Sequence, residues 1–352
     1  MVAAAAGGGL TVNSYTVERL LAEYIEHAKS VGRAATTTSK YEQLAKNVLN
    51  PVIGTTKLTK LTARHLDTLY GSLTARGNSP ASVRRVHALI AVALRQGLKW
   101  GLLDRNVATL ASPPSVRALE PRVLTREEVA SIIERAETIL MDETDPPERQ
   151  ADALRVSELA ADAFVLAALT GARRGELVGL RWDDWDRGAG TLRISRSVYE
   201  VVGGGWAVKD VKNHSSRTVS LDTRAVQALN RRWQASADLA ESLGRYLSDE
   251  GYVLSPWPGG LTPIMPGRLT RMFADSAEAA GLHAHLHLLR HWAATELVAQ
   301  GVPITVVAKR LGHRDSSVTL RVYAHALPQQ DAYAAQMLGE ALTASQALSR
   351  GS

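Results

Sequence analysis

Arginine and histidine side chains in the second half of the chain have the types and spacing to act on a phosphate ester. Arg173 and Arg174 stand in TGARRGEL, directly after an apolar segment. A guanidinium there can bind two phosphate oxygens at once, which a lysine cannot. His287 and Arg290 in HLLRHW are three residues apart and share one face of a helix. Such pairs are also ordinary surface features, and Glu176 could simply pair with either arginine.

A lysine and a tyrosine could supply the acid and the nucleophile of the same reaction. Lys212 in VKNHSSRTVSL lies on the hairpin side of a predicted strand, where a flexible ammonium can protonate a leaving oxygen. Tyr323 follows His313 by ten residues in LGHRDSSVTLRVYAH. A phenol has a pKa of about 10, so it attacks only where nearby cations stabilise the phenolate. Taken singly, each of these residues is equally compatible with a surface position.

The crowded histidines invite a metal interpretation, which the spacing argues against. His283, His285, His287 and His291 lie close together, and the last two have the spacing of a zinc protease helix. That motif needs a glutamate where this chain has Leu288. The chain has no cysteine, which excludes disulfides and thiolate ligands. We expect no metal and no other cofactor.

Length and charge suggest two domains and a polyanionic partner. A chain of 352 residues is long for a single core. Its 41 Lys and Arg against 35 Asp and Glu leave a formal charge of +6, which favours a nucleic acid if the excess is clustered. The N-terminal MVAAAAGGGL lacks a secretion signal, and no apolar run reaches the length of a membrane span. We expect a cytoplasmic protein that does not enter a membrane.

The elements that must position these residues begin with four helices. Apolar residues recur at helical spacing in TVERLLAEYIEHAKS and in three further segments, each ending at a glycine or an Asn-Pro step. Thr62 and Ser79 are suited to cap the third and fourth helices. One flank of this bundle is basic, which suits DNA binding or a solvated face equally. The DNA-binding candidates are Arg64, Arg84, Arg85, Arg95 and Lys99.

A proline-rich tether, ASPPSVRALEPR, separates this bundle from a second domain. Thr125 and Glu128 form a capping box that starts a helix. MDETDPPERQ, residues 141–150, is typical of an acidic loop, and a buried helix follows and ends at Gly171. The β-branched runs TLRISRSVYEVV and RTVSL then indicate a small antiparallel sheet, and the rest is helical.

We therefore predict a mainly α protein with a small antiparallel β-sheet. The pattern divides the chain into a flexible leader at 1–14, a four-helix domain at 15–112, a linker at 113–124, an α+β domain at 125–327 and a C-terminal tail at 328–352.

The four motifs, in their order, resemble the active-site boxes of the tyrosine recombinases of the phage integrase family. TGARRGEL, VKNHSSRTVSL, HLLRHWAATELVAQG and LGHRDSSVTLRVYAH carry this resemblance jointly. Residues 15–112 also resemble the family's helical core-binding domain, notably in LTKLTARHLDTLYGSL. Only the leader and the tail fall outside the likeness, which implies a helical core-type DNA-binding domain at 15–112 and a catalytic domain at 125–327.

The resemblance implies a role for each matched residue. The catalytic positions of the family fall on Arg173, Lys212, His287, Arg290, His313 and Tyr323, with Glu176 in support of the first arginine. Lys209 is the alternative to Lys212. The chain departs from the family at Leu288, Trp292 and Ser220, where Asp, Thr and Pro are usual, and no departure removes a reacting group.

The function implied by the resemblance is site-specific DNA recombination through a 3′-phosphotyrosine, as in integration of phage DNA. The implied assembly is a homotetramer on double-stranded DNA sites, with accessory DNA-bending or directionality proteins as further partners. The helical spacing of the tail is compatible with packing on its own domain, and the resemblance implies docking on a neighbouring protomer. Two alternatives stay open: a catalytically silent DNA-binding accessory protein, and strand relaxation of the type IB topoisomerase kind.

Overall fold

The chain folds into two compact units, Met1–Glu120 and Pro121–Ser352. The structure, a computed structural model, describes residues 15–116, 122–142, 144–201, 203–211, 216–312 and 335–340. Among these residues, no helix is both long enough and apolar enough to cross a lipid bilayer.

The first unit contains the four predicted helices. They are α1 (Val17–Ser30), α2 (Ala35–Leu44), α3 (Ala63–Ala75) and α4 (Pro80–Lys99). After α2 the chain continues as π-helical turns over Ala45–Gly54, which include a proline. In an α-helix a proline ring clashes with the carbonyl four residues earlier, and the wider turn relieves that crowding. The second helical segment therefore ends at its glycine and not at the Asn-Pro step.

Local capping and an apolar core explain where the helices of this unit begin and how they pack. The Thr62 hydroxyl accepts from the His65 amide at 3.4 Å, and the Ser79 hydroxyl accepts from the Ser82 amide at 3.2 Å. Both predicted caps are confirmed. The fully buried side chains of the core include those of Leu20, Leu21, Leu49, Leu66, Leu69 and Ile90.

Helices form most of the described part of the second unit. They are α5 (Arg126–Ala136), α6 (Pro147–Thr170), α7 (Arg174–Val178), α8 (Thr223–Glu241), α9 (Pro266–Ala279), α10 (His287–Ala299) and α11 (Ile304–Leu311). The predicted capping box at the start of α5 is present, since the Thr125 side chain and the Glu128 side chain each bind the other's backbone N–H.

Helix α6 is the buried axis of this unit. Its second half is almost wholly inaccessible, and Phe164 packs edge-on against Phe273 of α9 with ring centroids 5.0 Å apart. The helix begins at Pro147, so the prediction of a loop over 141–150 is wrong for its last four residues. A proline at the first helical position has no N–H to lose and a backbone angle already suited to the helix, so it starts α6 despite its polar surroundings.

Among the residues that the structure describes, the strands form two small antiparallel sheets and not the single one predicted. Strands β1 (Trp185–Asp186), β2 (Thr191–Ile194) and β5 (Arg217–Ser220) form one sheet in the order β1-β2-β5, and β3 (Arg196–Glu200) pairs with β4 (Trp206–Asp210).

The predicted fold class is confirmed, and the run TLRISRSVYEVV contributes one strand to each sheet. It divides at Ser195, whose carbonyl accepts from the Val211 amide at 2.9 Å, and the two halves join different sheets. In the register of β2 against β5, Ile194 is opposite Arg217 and Leu192 is opposite Val219.

Candidate active site

The end of α6 is the point where three distant parts of the second unit meet. Gly171 caps the helix with φ of +64°, a left-handed conformation that favours glycine. A Cβ at this position would collide with the side chain of Leu311 in α11. The carbonyl of Gly171 accepts a 2.5 Å hydrogen bond from Nη1 of Arg290, which is only 3% exposed. This contact joins α10 to the end of α6.

Arg173 and Glu176 occupy the turn that follows. Arg173 is the N-cap of α7, and its amide donates to Oε2 of Glu176 at 3.0 Å. Its Nη1 donates to Oε1 of the same carboxylate at 2.8 Å. The Arg173 side chain remains 40% exposed while the carboxylate is buried. Glu176 therefore holds the guanidinium in one orientation and leaves part of it open to a ligand.

Arg217 is a second arginine on the same carboxylate, and sequence reasoning missed it. Its Nη2 donates to Oε2 of Glu176 at 2.9 Å, and the Arg217 side chain is 5% exposed. The signal was available in the strand pattern, because Arg217 and Val219 share a face of RTVS and Val219 is an inward residue. An arginine on the inward face of a strand requires a buried acid.

The two guanidiniums keep Glu176 ionised. Burial alone raises the pKa of this carboxyl group, since it disfavours the charged form. The hydrogen bond and charge of Arg217, followed by the contacts with Arg173, outweigh that effect and leave the pKa below its usual value. The cluster therefore contains two positive charges and one negative charge at neutral pH.

The end of α11 closes this cluster. The carbonyl of Gly312 accepts from Nη2 of Arg173 at 3.3 Å, and the carbonyl of Arg310 accepts from Nε of Arg217 at 2.6 Å. The Arg310 side chain in turn donates to the carbonyls of Leu169 and Ser220 at 2.9 and 3.1 Å. These contacts fix the last described residues before His313 against the two arginines.

Gly312→Ala is expected to destabilise the second unit more than Gly301→Ala. Both glycines have left-handed angles, with φ of +67° and +79°. An alanine there costs about 1–2 kcal/mol from backbone strain. At Gly312 the added Cβ would also lie 2.7 Å from Nη1 of Arg217, whereas at Gly301 it meets nothing within 4 Å.

Arg217 is bound through Nε and Nη2 and cannot move away cheaply, so overpacking adds about 1–3 kcal/mol to the cost at Gly312. Denaturant unfolding of both variants measures the difference. Equal losses of stability in the two variants would show that the tight contact at Gly312 has no energetic consequence.

His287 is the first residue of α10, one turn before Arg290, and it lines a cavity together with Ala172 and Arg174. Its ring is accessible to solvent, but protein atoms crowd it and its nearest charged neighbours are cations. Desolvation, followed by the charges of His291, Arg290, His285 and Arg173, lowers its pKa to about 4. The imidazole is therefore neutral at pH 7 and can accept a proton.

Arg174, next to Arg173, and Lys209, the alternative to Lys212, contact side chains outside the cluster. Arg174 donates to the hydroxyl of Thr270 at 3.0 Å and so points away from Glu176. Lys209, the alternative to Lys212, lies in β4 with its ammonium 5.3 Å from the ring centre of Tyr199. Three residues of the predicted set, Lys212, His313 and Tyr323, lie outside the described residues.

The DNA-binding candidates of the first unit all have exposed side chains. Arg84 also contacts the carbonyl of Pro114 at 3.5 Å. Arg95 and Lys99 border a shallow cavity of the same unit together with Arg33 and His27, so basic side chains cluster near the end of α4. The full set of candidates is Arg64, Arg84, Arg85, Arg95 and Lys99, of which only the last two lie near the end of α4.

Known proteins resemble this chain in sequence and in fold. The model of the phage integrase family matches residues 122–330. A tyrosine recombinase XerC-like protein of Caldanaerobacter subterraneus subsp. tengcongensis is 25% identical over 354 residues, which cover 94% of this chain and 85% of the relative.

Two solved structures share the fold at 18% sequence identity. The Tn1549 transposon integrase in complex with a circular intermediate DNA has a TM-score of 0.71, covering 92% of this chain and 99% of the other. A lambda integrase tetramer bound to a Holliday junction has a TM-score of 0.65, covering 88% and 78%. Since the family model spans more than half of the chain, this protein belongs to the phage integrase family and is a tyrosine recombinase, an enzyme of site-specific DNA recombination.

Proposed function

We propose that this enzyme cuts and rejoins DNA strands through a 3′-phosphotyrosine formed on Tyr323. The observation that carries the proposal is the meeting of Arg173, Arg290 and His287 at the end of α6, beside Gly312. Positively charged groups and a neutral imidazole are what attack on a phosphodiester requires. His313 and Tyr323 follow Gly312 in the chain.

The two arginines bind the non-bridging oxygens of the scissile phosphate. The guanidinium of Arg173 is held by Glu176 yet partly exposed, which leaves N–H donors for an oxygen. Arg290 is buried against the carbonyl of Gly171, so its orientation is set before DNA arrives. Donors that need no reorganisation stabilise the charge that develops in the transition state. His313 completes this set as a further donor.

In the cleavage step, the tyrosine oxygen replaces the 5′-oxygen on phosphorus. The Tyr323 oxygen forms a bond to phosphorus as the bond from phosphorus to the 5′-oxygen breaks, and Lys212 protonates that departing oxygen. The product is a 3′-phosphotyrosine and a free 5′-hydroxyl. A 5′-hydroxyl from a partner duplex then reverses the attack, so the phosphodiester is restored without an external energy source.

His287 either accepts the phenol proton itself or orients the group that accepts it. We expect His287→Gln to slow cleavage by about 10²–10⁴, the usual contribution of a general base. His283→Gln is the control, because His283 is an exposed loop residue at the edge of the same histidine cluster. Single-turnover cleavage of a nicked site measures both.

The pH dependence of stability provides a second reading on His287. Its pKa is lowered in the folded protein, so the unfolded chain binds a proton more readily. The stabilising contribution of the neutral ring is present above the unfolded pKa of about 6.5 and is lost as pH falls towards about 4. His287→Gln should therefore lose less stability than the wild type between pH 7 and pH 4. A wild-type cleavage rate in this variant would remove His287 from the mechanism.

The direct test is covalent capture on a nicked recombination site. A strand break next to the scissile phosphate lets the short 5′-hydroxyl fragment diffuse away and traps the intermediate. We expect a protein–DNA adduct in denaturing electrophoresis, with the phosphate on the peptide that contains Tyr323. Protein that binds the site tightly but never yields an adduct would fit the silent accessory protein instead.

Product topology separates recombination from strand relaxation. A plasmid with two recognition sites gives recombinant circles if the enzyme joins partner strands, and only relaxed circles if it acts as a type IB topoisomerase does. The four-helix unit at 15–112, which we propose as a core-type DNA-binding domain, favours recombination. Its exposed cations predict binding that weakens steeply with salt, because DNA binding releases counterions.

We also propose a homotetramer on paired DNA sites, as in the lambda integrase assembly. In the tail, residues 335–340 are helical, and the apolar Met337 and Leu338 are 52% and 69% exposed. Exposed apolar side chains of this kind suit docking on a neighbouring protomer. Light scattering of the protein on DNA with one and with two sites measures the assembly. Accessory DNA-bending or directionality proteins remain part of the proposal.

A further inference from the structure

We propose that Arg217 is a positioning residue of the cleavage site, one that keeps Arg173 available to the phosphate and holds the turn before His313. The inference rests on the proposed phosphotyrosine chemistry, since it names how that site is maintained. Arg217 lies in β5, 41 residues from the carboxylate it binds.

Arg217 supplies a second positive charge to the carboxylate of Glu176. A carboxylate bound by one guanidinium neutralises it, and a neutralised guanidinium attracts a phosphate weakly. Here the carboxylate of Glu176 is bound by Nη1 of Arg173 at 2.8 Å and by Nη2 of Arg217 at 2.9 Å. This triad of Arg173, Glu176 and Arg217 therefore has a net charge of +1. Arg217 is buried while Arg173 is 40% exposed, so the side of the triad that is open to a ligand is Arg173.

Arg217 also contacts the end of α11. Nε of Arg217 donates to the carbonyl of Arg310 at 2.6 Å, two residues before Gly312. Gly312 lies so close to Arg217 that a Cβ would be 2.7 Å from its Nη1 and 3.2 Å from its Cδ. The Gly312 carbonyl then reaches Nη2 of Arg173 at 3.3 Å. Arg217 thus links two parts of the site. One is Glu176, the acid that orients Arg173, and the other is the turn that leads into His313.

A planar guanidinium is needed for both contacts together. Its fork places Nε and Nη2 on two acceptors in fixed directions, whereas an ammonium supplies the charge without the directions. Arg217→Lys should therefore keep part of the function, and Arg217→Met should keep neither the charge nor the link.

The test is single-turnover cleavage of the nicked site by the full-length protein. We expect Arg217→Met to cleave about 100-fold more slowly than the wild type, since a small misplacement of reacting groups has an effect of that size. Arg217→Lys should fall in between, and DNA binding should change little. Arg196→Met is the matched control, because Arg196 is also largely buried on a carboxylate, Asp184, that a second arginine contacts. It should cleave near the wild-type rate.

A double-mutant cycle separates positioning from general stability. In the Glu176→Gln background the carboxylate charge is gone, so Arg217→Met should slow cleavage by much less than about 100-fold. Hydrogen exchange of the α11 peptide should also increase in Arg217→Met and not in Arg196→Met. The same slowing in both backgrounds, or slowing that follows the loss of stability alone, would make Arg217 an ordinary structural residue.

The remaining outcomes are also decisive. A folded Arg217→Met protein that cleaves at the wild-type rate overturns the inference and leaves the proposed chemistry intact. If wild-type protein bound to its site formed no adduct at all, the phosphotyrosine proposal would fail, and the role of Arg217 would fail with it.

Discussion

Tyr323→Phe is expected to abolish covalent capture of DNA while binding to the same site is retained. The substitution removes one oxygen and keeps the ring, so the packing of the side chain changes little. No adduct should be detectable on the nicked site, because the attacking atom is missing. Gel-shift titration and denaturing electrophoresis of the same reactions measure binding and capture together.

Tyr246→Phe provides the matched control. Tyr246 is 96% exposed and belongs to the same unit, so its hydroxyl can be removed without disturbing a core. This variant should capture DNA at the wild-type rate. An adduct that persists in Tyr323→Phe, mapped to another residue, would show that the nucleophile is elsewhere.

Arg173→Ala should slow cleavage by about 10³–10⁵, the range over which a catalytic arginine accelerates phosphoryl transfer. The loss comes from the chemical step, because Glu176 keeps Arg217 as a partner and the buried carboxylate is not left alone. The variant should therefore remain folded and bind the site. Arg173→Lys should recover little, since an ammonium cannot reproduce the fork that holds both Glu176 and a phosphate oxygen.

Arg174→Ala is the control for this prediction. It removes the adjacent arginine, which is exposed and bound to Thr270, and leaves the contacts of Glu176 in place. Cleavage should stay near the wild-type rate, with at most a modest change in the salt dependence of binding. If the two variants lost activity equally, the assignment of Arg173 over Arg174 would be wrong.

Local patterns in the sequence accounted for most helices and their starts. Thr62, Ser79 and Thr125 cap the helices predicted for them, and the buried helix ends at Gly171 as expected. These features depend on residues within one or two turns of each other, so periodicity and capping chemistry are sufficient to find them.

Errors arose where a distant contact overrode the local pattern. A single sheet was predicted, but the consecutive strands β2 and β3 belong to different sheets because they pair with different partners, β5 and β4. The strand pattern places Arg217 on the inward face of β5, but no local feature identifies the acid that it binds. Glu176 lies 41 residues earlier, and only the sheet register brings the two together.

The sequence by itself determined the family, the helical segments and which residue types are available for chemistry, because four motifs in a fixed order carry that information. Only the tertiary structure decided which of these residues meet. Arg290 reaches the Gly171 carbonyl across 119 positions, and Arg173 reaches the Gly312 carbonyl across 139. Such contacts depend on how α6, α10 and α11 pack, and the packing of distant elements is not encoded in the spacing of nearby residues.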